Sequence, residues 1–140
     1  MSKRSVLAAI VCLFVGLPSV GAAQAAPGRR LAIDEVIPNV PGKSLKTVIV
    51  NYAPGQMSGP HAHAKSAFVI AYVLEGEVVS GVNGQPAKTY KPGEYWTENP
   101  GDQHTTSGNA SKTAPAKLLA IFVLDTKDTV LTTPLTAQKP

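Results

Sequence analysis

Cysteine is nearly absent from these 140 residues: the one copy is Cys12. Histidine occurs three times, tryptophan once, and aromatic side chains make up 6% of the chain. No stretch beyond residue 26 keeps a helical apolar period over ten residues, so a helical bundle is excluded. Net positive charge is also small and scattered once the first residues are set aside, with no cluster of Lys and Arg interleaved with aromatic rings. That argues against nucleic acid as a partner and against a charged membrane surface.

The first residues carry a targeting pattern. Lys3 and Arg4 form a basic opening, Val6 to Leu17 is an apolar run, and Ala23-Gln24-Ala25 is a small-x-small cleavage signal. The run is shorter than the roughly 20 residues a membrane helix needs, so residues 1–25 are expected to be a signal peptide. The mature protein is then exported, periplasmic or secreted, with no membrane attachment. Cleavage removes Cys12 and takes the formal charge from +4 to +2, through loss of Lys3 and Arg4. No disulfide can then stabilise it, and stability must come from packing and from any bound ion.

Strand signals fill the rest. Leu31 to Ile37, closed by Pro38 and Pro41, is a first strand, and Leu45 to Tyr52 a second. Ala67 to Leu74 is an almost unbroken apolar run, expected of a strand covered on both faces. Asn83-Gly84 between Glu77–Val82 and Gln85–Tyr90 predicts a type I′ hairpin. Glu94 to Glu98, Gln103 to Ser107 and Lys117 to Asp125 complete the set, and Thr129 to Thr132 is a strand-prone patch in a tail expected to wrap or fray. Many short strands separated by turns predict an all-β sandwich or barrel.

The three histidines sit in two patterned segments. In Gly55-Gln56-Met57-Ser58-Gly59-Pro60-His61-Ala62-His63 the imidazoles lie at i and i+2, on one face of a strand. The other segment, Gly93 to His104, delivers the third after Pro100-Gly101. These segments resemble the two motifs of the cupin superfamily, Gly-x5-His-x-His-x3-4-Glu-x6-Gly and Gly-x5-Pro-x-Gly-x2-His-x3-Asn. The resemblance covers roughly residues 45 to 125. It implies a single cupin-like double-stranded β-helix, a jelly-roll barrel, over 45–125, preceded by an arm and first strand over 26–44 and followed by a tail over 126–140. It also implies that His61, His63 and His104 hold a divalent metal ion (Zn, Fe, Mn, Ni or Cu) with positions left open for a small-molecule ligand or substrate. Cupins often pair through edge strands or swapped arms, which opens a route to a homodimer.

One departure stands out: the position of the motif's ligand glutamate is occupied by Val69. Glu98, two residues from Trp96 on the strand leading to His104, is the candidate replacement, as fourth ligand or general base; the alternative is a solvent-facing carboxylate. Tyr72, Phe68 and Trp96 are candidates to line the pocket or fill the core, and Gln103 to orient a ligand. Three functional readings follow: a metal-dependent enzyme, dioxygenase-like or of other small-molecule chemistry, a non-catalytic binding or sensing module, and a purely structural barrel with an empty site, against which the three histidines argue.

Overall fold

The computed structural model describes residues 27–135 and contains eleven strands and no helix among them. In chain order these are β1 (Gly28–Val36), β2 (Lys43–Tyr52), β3 (Met57–Ser58), β4 (His61–His63), β5 (Phe68–Glu75) and β6 (Val78–Val82). β7 (Lys88–Tyr90), β8 (Tyr95–Glu98), β9 (Gln103–Asn109), β10 (Ala116–Asp125) and β11 (Thr132–Pro134) follow. They form two antiparallel sheets. One has the order β1-β2-β10-β5-β8; the other runs β11-β4-β9-β6-β7, with β3 also on β9. Consecutive strands repeatedly change sheet, as in the double-stranded β-helix.

The period-2 rule explains how the sheets close on each other. Along β10, Ala116, Leu118, Ala120, Phe122 and Leu124 are buried while the residues between them are partly exposed. The same alternation holds on β5 and corrects one expectation: its apolar run is covered on one face only. Val69, Ala71 and Val73 point into the core, whereas Phe68, Tyr72 and Leu74 are exposed on the outer face. Two apolar clusters meet between the sheets, one around Tyr52, Val73, Val78, Trp96 and Leu118, the other around Val69, Phe122 and Leu124. Burying each large aliphatic side chain contributes about 1.5–3 kcal/mol.

Local chemistry fixes the turns. Asn83 (φ 53°) and Gly84 (φ 70°) both take positive φ, as a type I′ turn requires, and Gln85 N–H donates to Val82 C=O at 3.0 Å. Gly76 between β5 and β6 has φ 70°, and an added Cβ would lie 2.3 Å from Pro115 O, so only glycine fits. The tail beyond Thr126 does not fray in the described residues: β11 pairs with β4, Thr132 against His63 and Pro134 against His61.

Candidate metal centre

β4 and β9 bring the three imidazoles together. His61 and His104 are Cα partners across the β4–β9 ladder, and His63 lies two residues along β4 on the same face. Ring centroids are 5.0 Å apart for His61 and His63, 5.1 Å for His61 and His104, and 6.3 Å for His63 and His104. One ligand atom from each falls within 4.8 Å of the others. His61 and His104 are buried and His63 is half-buried.

Each ring has a partner on its far side that leaves the other nitrogen for the centre. Nδ1 of His61 lies 2.8 Å from Gly59 O, and Nδ1 of His63 lies 3.2 Å from Leu131 O. A carbonyl only accepts, so these nitrogens carry the protons and each Nε2 keeps its lone pair. His104 is held through Nε2 by the Ser80 hydroxyl at 2.9 Å, which turns Nδ1 inward. Phe122 packs edge-on against His63 and Trp96 against His104, fixing the ring planes.

Glu98 lies against His63 and His104, beside the three ligand atoms that fall within 4.8 Å of one another. It is 2% exposed, so the solvent-facing alternative for this residue is overturned. β8 alternates as expected, with Trp96 and Glu98 inward and Tyr95 and Thr97 outward. Oε1 of Glu98 accepts a hydrogen bond from Trp96 Nε1–H at 3.1 Å and lies 3.2 Å from His104 Nδ1. Oε2 lies 3.3 Å from His63 Nε2 and has no hydrogen-bond partner. Directly across the β5–β8 ladder from Glu98 stands Val69. Opposed residues of an antiparallel pair share a face with Cβ atoms about 5 Å apart. A carboxylate thus stands on the same rung as the motif's glutamate position, on the neighbouring strand.

The protonation states suit a cation. Burial pushes the His104 imidazole down to about 4, against the opposing pull of Glu98, and burial likewise lowers His61. Burial alone would raise the Glu98 carboxyl, but the adjacent His63 and His104 imidazoles and the Trp96 N–H together hold it below its usual value. At neutral pH, His61 and His104 are therefore neutral donors beside a buried anion with one unanswered oxygen. A carboxylate left so is costly unless a cation answers it. Three imidazole nitrogens and one carboxylate fit a divalent ion of the first transition row.

Beside the cluster lies a cavity of about 50 Å³, room for about three to five waters at roughly 10–15 Å³ each. Its walls are apolar, with Val48, Val50, Val69, Leu118 and Phe122 among them. Arg29 of β1 and a chain of hydroxyls also line it. Arg29 Nη2–H donates to Ser58 Oγ at 3.2 Å, and Tyr52 OH links Ser58 (3.2 Å) to Ser107 (3.0 Å). Of the residues expected at the pocket, Trp96 lines it. Phe68 and Tyr72 do not, because they occupy the outward positions of β5, and Gln103 is exposed one residue out of phase with His104.

Sequence reasoning missed Arg29, Tyr52, Ser80, Ser107 and the Leu131 carbonyl. Tyr52, Ser80 and Ser107 lie at core-facing positions of their strands, a signal that was there to be read. Arg29 and Leu131 gave none, since each reaches the site only through tertiary structure.

The cupin-domain family model matches residues 48–122. Germin-like protein subfamily 2 member 2 of Arabidopsis thaliana is 35% identical over 92 residues, covering 63% of this chain and 41% of its own length. Subfamily 2 member 4 is 36% identical over 77 residues, 52% of this chain and 34% of its own. The matched part thus spans less than half of either curated relative. Among solved structures, a double-stranded β-helix domain protein from Klebsiella pneumoniae superposes with TM-score 0.57 at 17% identity, covering 83% of this chain and 91% of its own. An oxalate oxidase in complex with glycolate superposes with TM-score 0.54 at 22% identity, covering 81% and 58%. Family match, strand order and the clustered histidines agree: this chain belongs to the cupin family.

Proposed function

We propose that His61, His63, His104 and Glu98 hold a divalent metal ion and that the protein is a metal-dependent enzyme acting on a small anionic molecule. The observation that carries this reading is Glu98: a buried carboxylate with one unpartnered oxygen, lying against two of the three clustered imidazoles. A divalent ion held there supplies Lewis-acid polarisation of a ligand oxygen and, where the metal is redox-active, oxygen chemistry. The chain's own residues do the rest. Arg29 offers a guanidinium with no carboxylate partner among the described residues, suited to hold an anionic group, and the Tyr52–Ser58–Ser107 hydroxyls offer donors and acceptors beside it. The apolar walls exclude bulk water and the small volume limits the ligand to a few heavy atoms. Trp96 braces Glu98 through its indole N–H.

Support for a non-catalytic binding or sensing role comes from Glu98 itself. If it is a ligand to the ion, the described lining holds no second carboxylate to act as base. The same reading extends to export, supported by the signal-like residues 1–25, which lie outside the described residues; an N-terminus at Ala26 in protein recovered from the periplasm or medium tests it.

Elemental analysis of protein purified without a histidine tag is expected to find one divalent ion per chain, lost in His104→Ala. Oxygen-uptake and product assays with small carboxylates, thiols, catechols and flavonols then separate the two roles: turnover supports the enzyme, metal and ligand binding without turnover the sensor. A protein that takes up no divalent ion when one is offered ends both.

A further inference from the structure

The three imidazoles are not held alike. His61 and His63 each turn Nδ1 outward to a backbone carbonyl, Gly59 O at 2.8 Å and Leu131 O at 3.2 Å, whereas His104 turns Nε2 outward, to the Ser80 hydroxyl at 2.9 Å. Its Nδ1 is the nitrogen beside Glu98, 3.2 Å from Oε1.

Strand pairing explains the difference. Ser80 stands opposite Ser107 and Gly81 opposite Thr106, but Val82 stands opposite His104, so the β6–β9 ladder skips Thr105. One extra residue on one strand is a β-bulge, and a bulge re-aims the side chains beyond it. Under strict alternation His104 and Ser107, three residues apart, would point to opposite faces. With the bulge both are buried, as is Ser80, which pairs with Ser107. The Thr105 hydroxyl secures the irregular backbone, donating to Gly81 O at 3.1 Å and accepting from Gly84 N–H at 3.3 Å.

No ring flip undoes the arrangement. Half a turn of the imidazole about Cβ–Cγ puts Cε1 against Ser80 and Cδ2 against Glu98, and both contacts are lost. Bringing Nε2 inward needs a different χ1 rotamer, against Trp96, whose ring packs edge-on with its centroid 5.9 Å away.

A neutral imidazole carries one proton and one lone pair. A carbonyl only accepts, so it fixes the proton of His61 and of His63 on Nδ1. The Ser80 hydroxyl accepts as well as donates, so it takes the Nε2 proton of His104 and leaves the Nδ1 lone pair for an ion.

We infer that Ser80 is a positioning residue that makes His104 bind the divalent ion through Nδ1, against Nε2 for His61 and His63. The inference rests on the metal-binding reading above and adds to it which nitrogen binds and what selects it. Nδ1 is the ring nitrogen nearer the backbone and the one beside Glu98, so His104 and a carboxylate carried by β8 offer adjacent donors.

The test is long-range proton–nitrogen correlation of the imidazole rings at neutral pH, on isotopically labelled full protein purified without a histidine tag and loaded with zinc, which is redox-silent. The spectrum reads the proton-bearing nitrogen of each ring, and the sequence holds three histidines. His61 and His63 are expected to carry the proton on Nδ1, and His104 on Nε2. Zinc bound with all three rings protonated on Nδ1 overturns the inference and leaves the metal reading standing. A protein that takes up no zinc overturns both. Ser80→Ala, whose His104 ring loses its outward partner, is expected to bind zinc about 10–100-fold more weakly in chelator competition. Ser80→Thr restores a hydroxyl and is expected to recover most of that affinity and the Nε2 proton of His104. An alanine variant, folded by circular dichroism, that keeps both the affinity and the ring pattern of wild type overturns the role of Ser80. Should either variant fail to fold, the wild-type ring pattern still decides which nitrogen binds.

Discussion

Glu98 and Val69 face each other across one rung of the β5–β8 ladder, and the donor set of the site turns on which of them is acidic. Removing the charge while keeping the shape isolates that contribution. Glu98→Gln is expected to weaken divalent-metal affinity by roughly one to two orders of magnitude, the range typical when a group bracing a metal site is lost. Competition with a chromophoric chelator reads it. Adding Val69→Glu to that variant returns a carboxylate to the same face about 5 Å away and is expected to recover part of the affinity. A double variant no better than Glu98→Gln shows that the rung cannot be exchanged.

His104 sets a pH dependence at the same scale. Its folded pKa of about 4 lies below the ordinary 6.5, so between these values the unfolded chain binds a proton that the folded chain refuses. Its contribution to the stability of the metal-stripped protein is therefore intact above pH 6.5, declines as pH falls through that window, and levels off below about 4. Urea midpoints of chelator-treated protein from pH 7.5 to 4 are expected to fall, and the fall is expected to shrink in His104→Asn. The carboxylates of the fold add their own losses at the acid end, which makes this comparison the informative one.

Among the elements, β11 changes standing most. A proline-containing tail read as wrapping or fraying lies against the strand that carries two metal-binding candidates, and the Leu131 carbonyl next to it orients His63. Deleting residues from Leu131 onward is expected to lower metal affinity about 10–100-fold while leaving the far-UV β signal largely in place. Unchanged affinity would mean that His63 needs no outer partner. The hairpin at Asn83-Gly84 was legible because its dihedral demands are met by two particular residues. The β11–β4 pairing was not, because nothing in residues 129–134 names a partner some seventy residues earlier. The apolar run of β5 misled for a related reason: Phe68, Tyr72 and Leu74 look like core residues, and only the sheet's position decides that their face stays open.

At the scale of the molecule, a β fold whose sole cysteine lies in its signal-like segment has packing and, on our proposal, a metal ion to stabilise it. An ion that binds only the folded chain adds about 2.7 kcal/mol at a hundredfold excess over its dissociation constant. For a domain near this size that corresponds to a rise in melting temperature of roughly 10 °C or more. Scanning calorimetry with and without the metal is expected to show that difference in wild type and none in His104→Ala.

The residues alone determined the all-β class, the family resemblance and the three clustered histidines, because each rests on local facts: alternation, turn chemistry and the i, i+2 spacing of His61 and His63. They also flagged Glu98 as an acid on the right strand. What the tertiary structure decided was which way that strand faced, that Val69 and Glu98 share a rung, that Ser80 and Leu131 brace two of the rings, and that Arg29 reaches the cavity. Each of these depends on register between strands distant in sequence, and register is set by how two sheets bury their apolar faces against each other, which no single segment encodes.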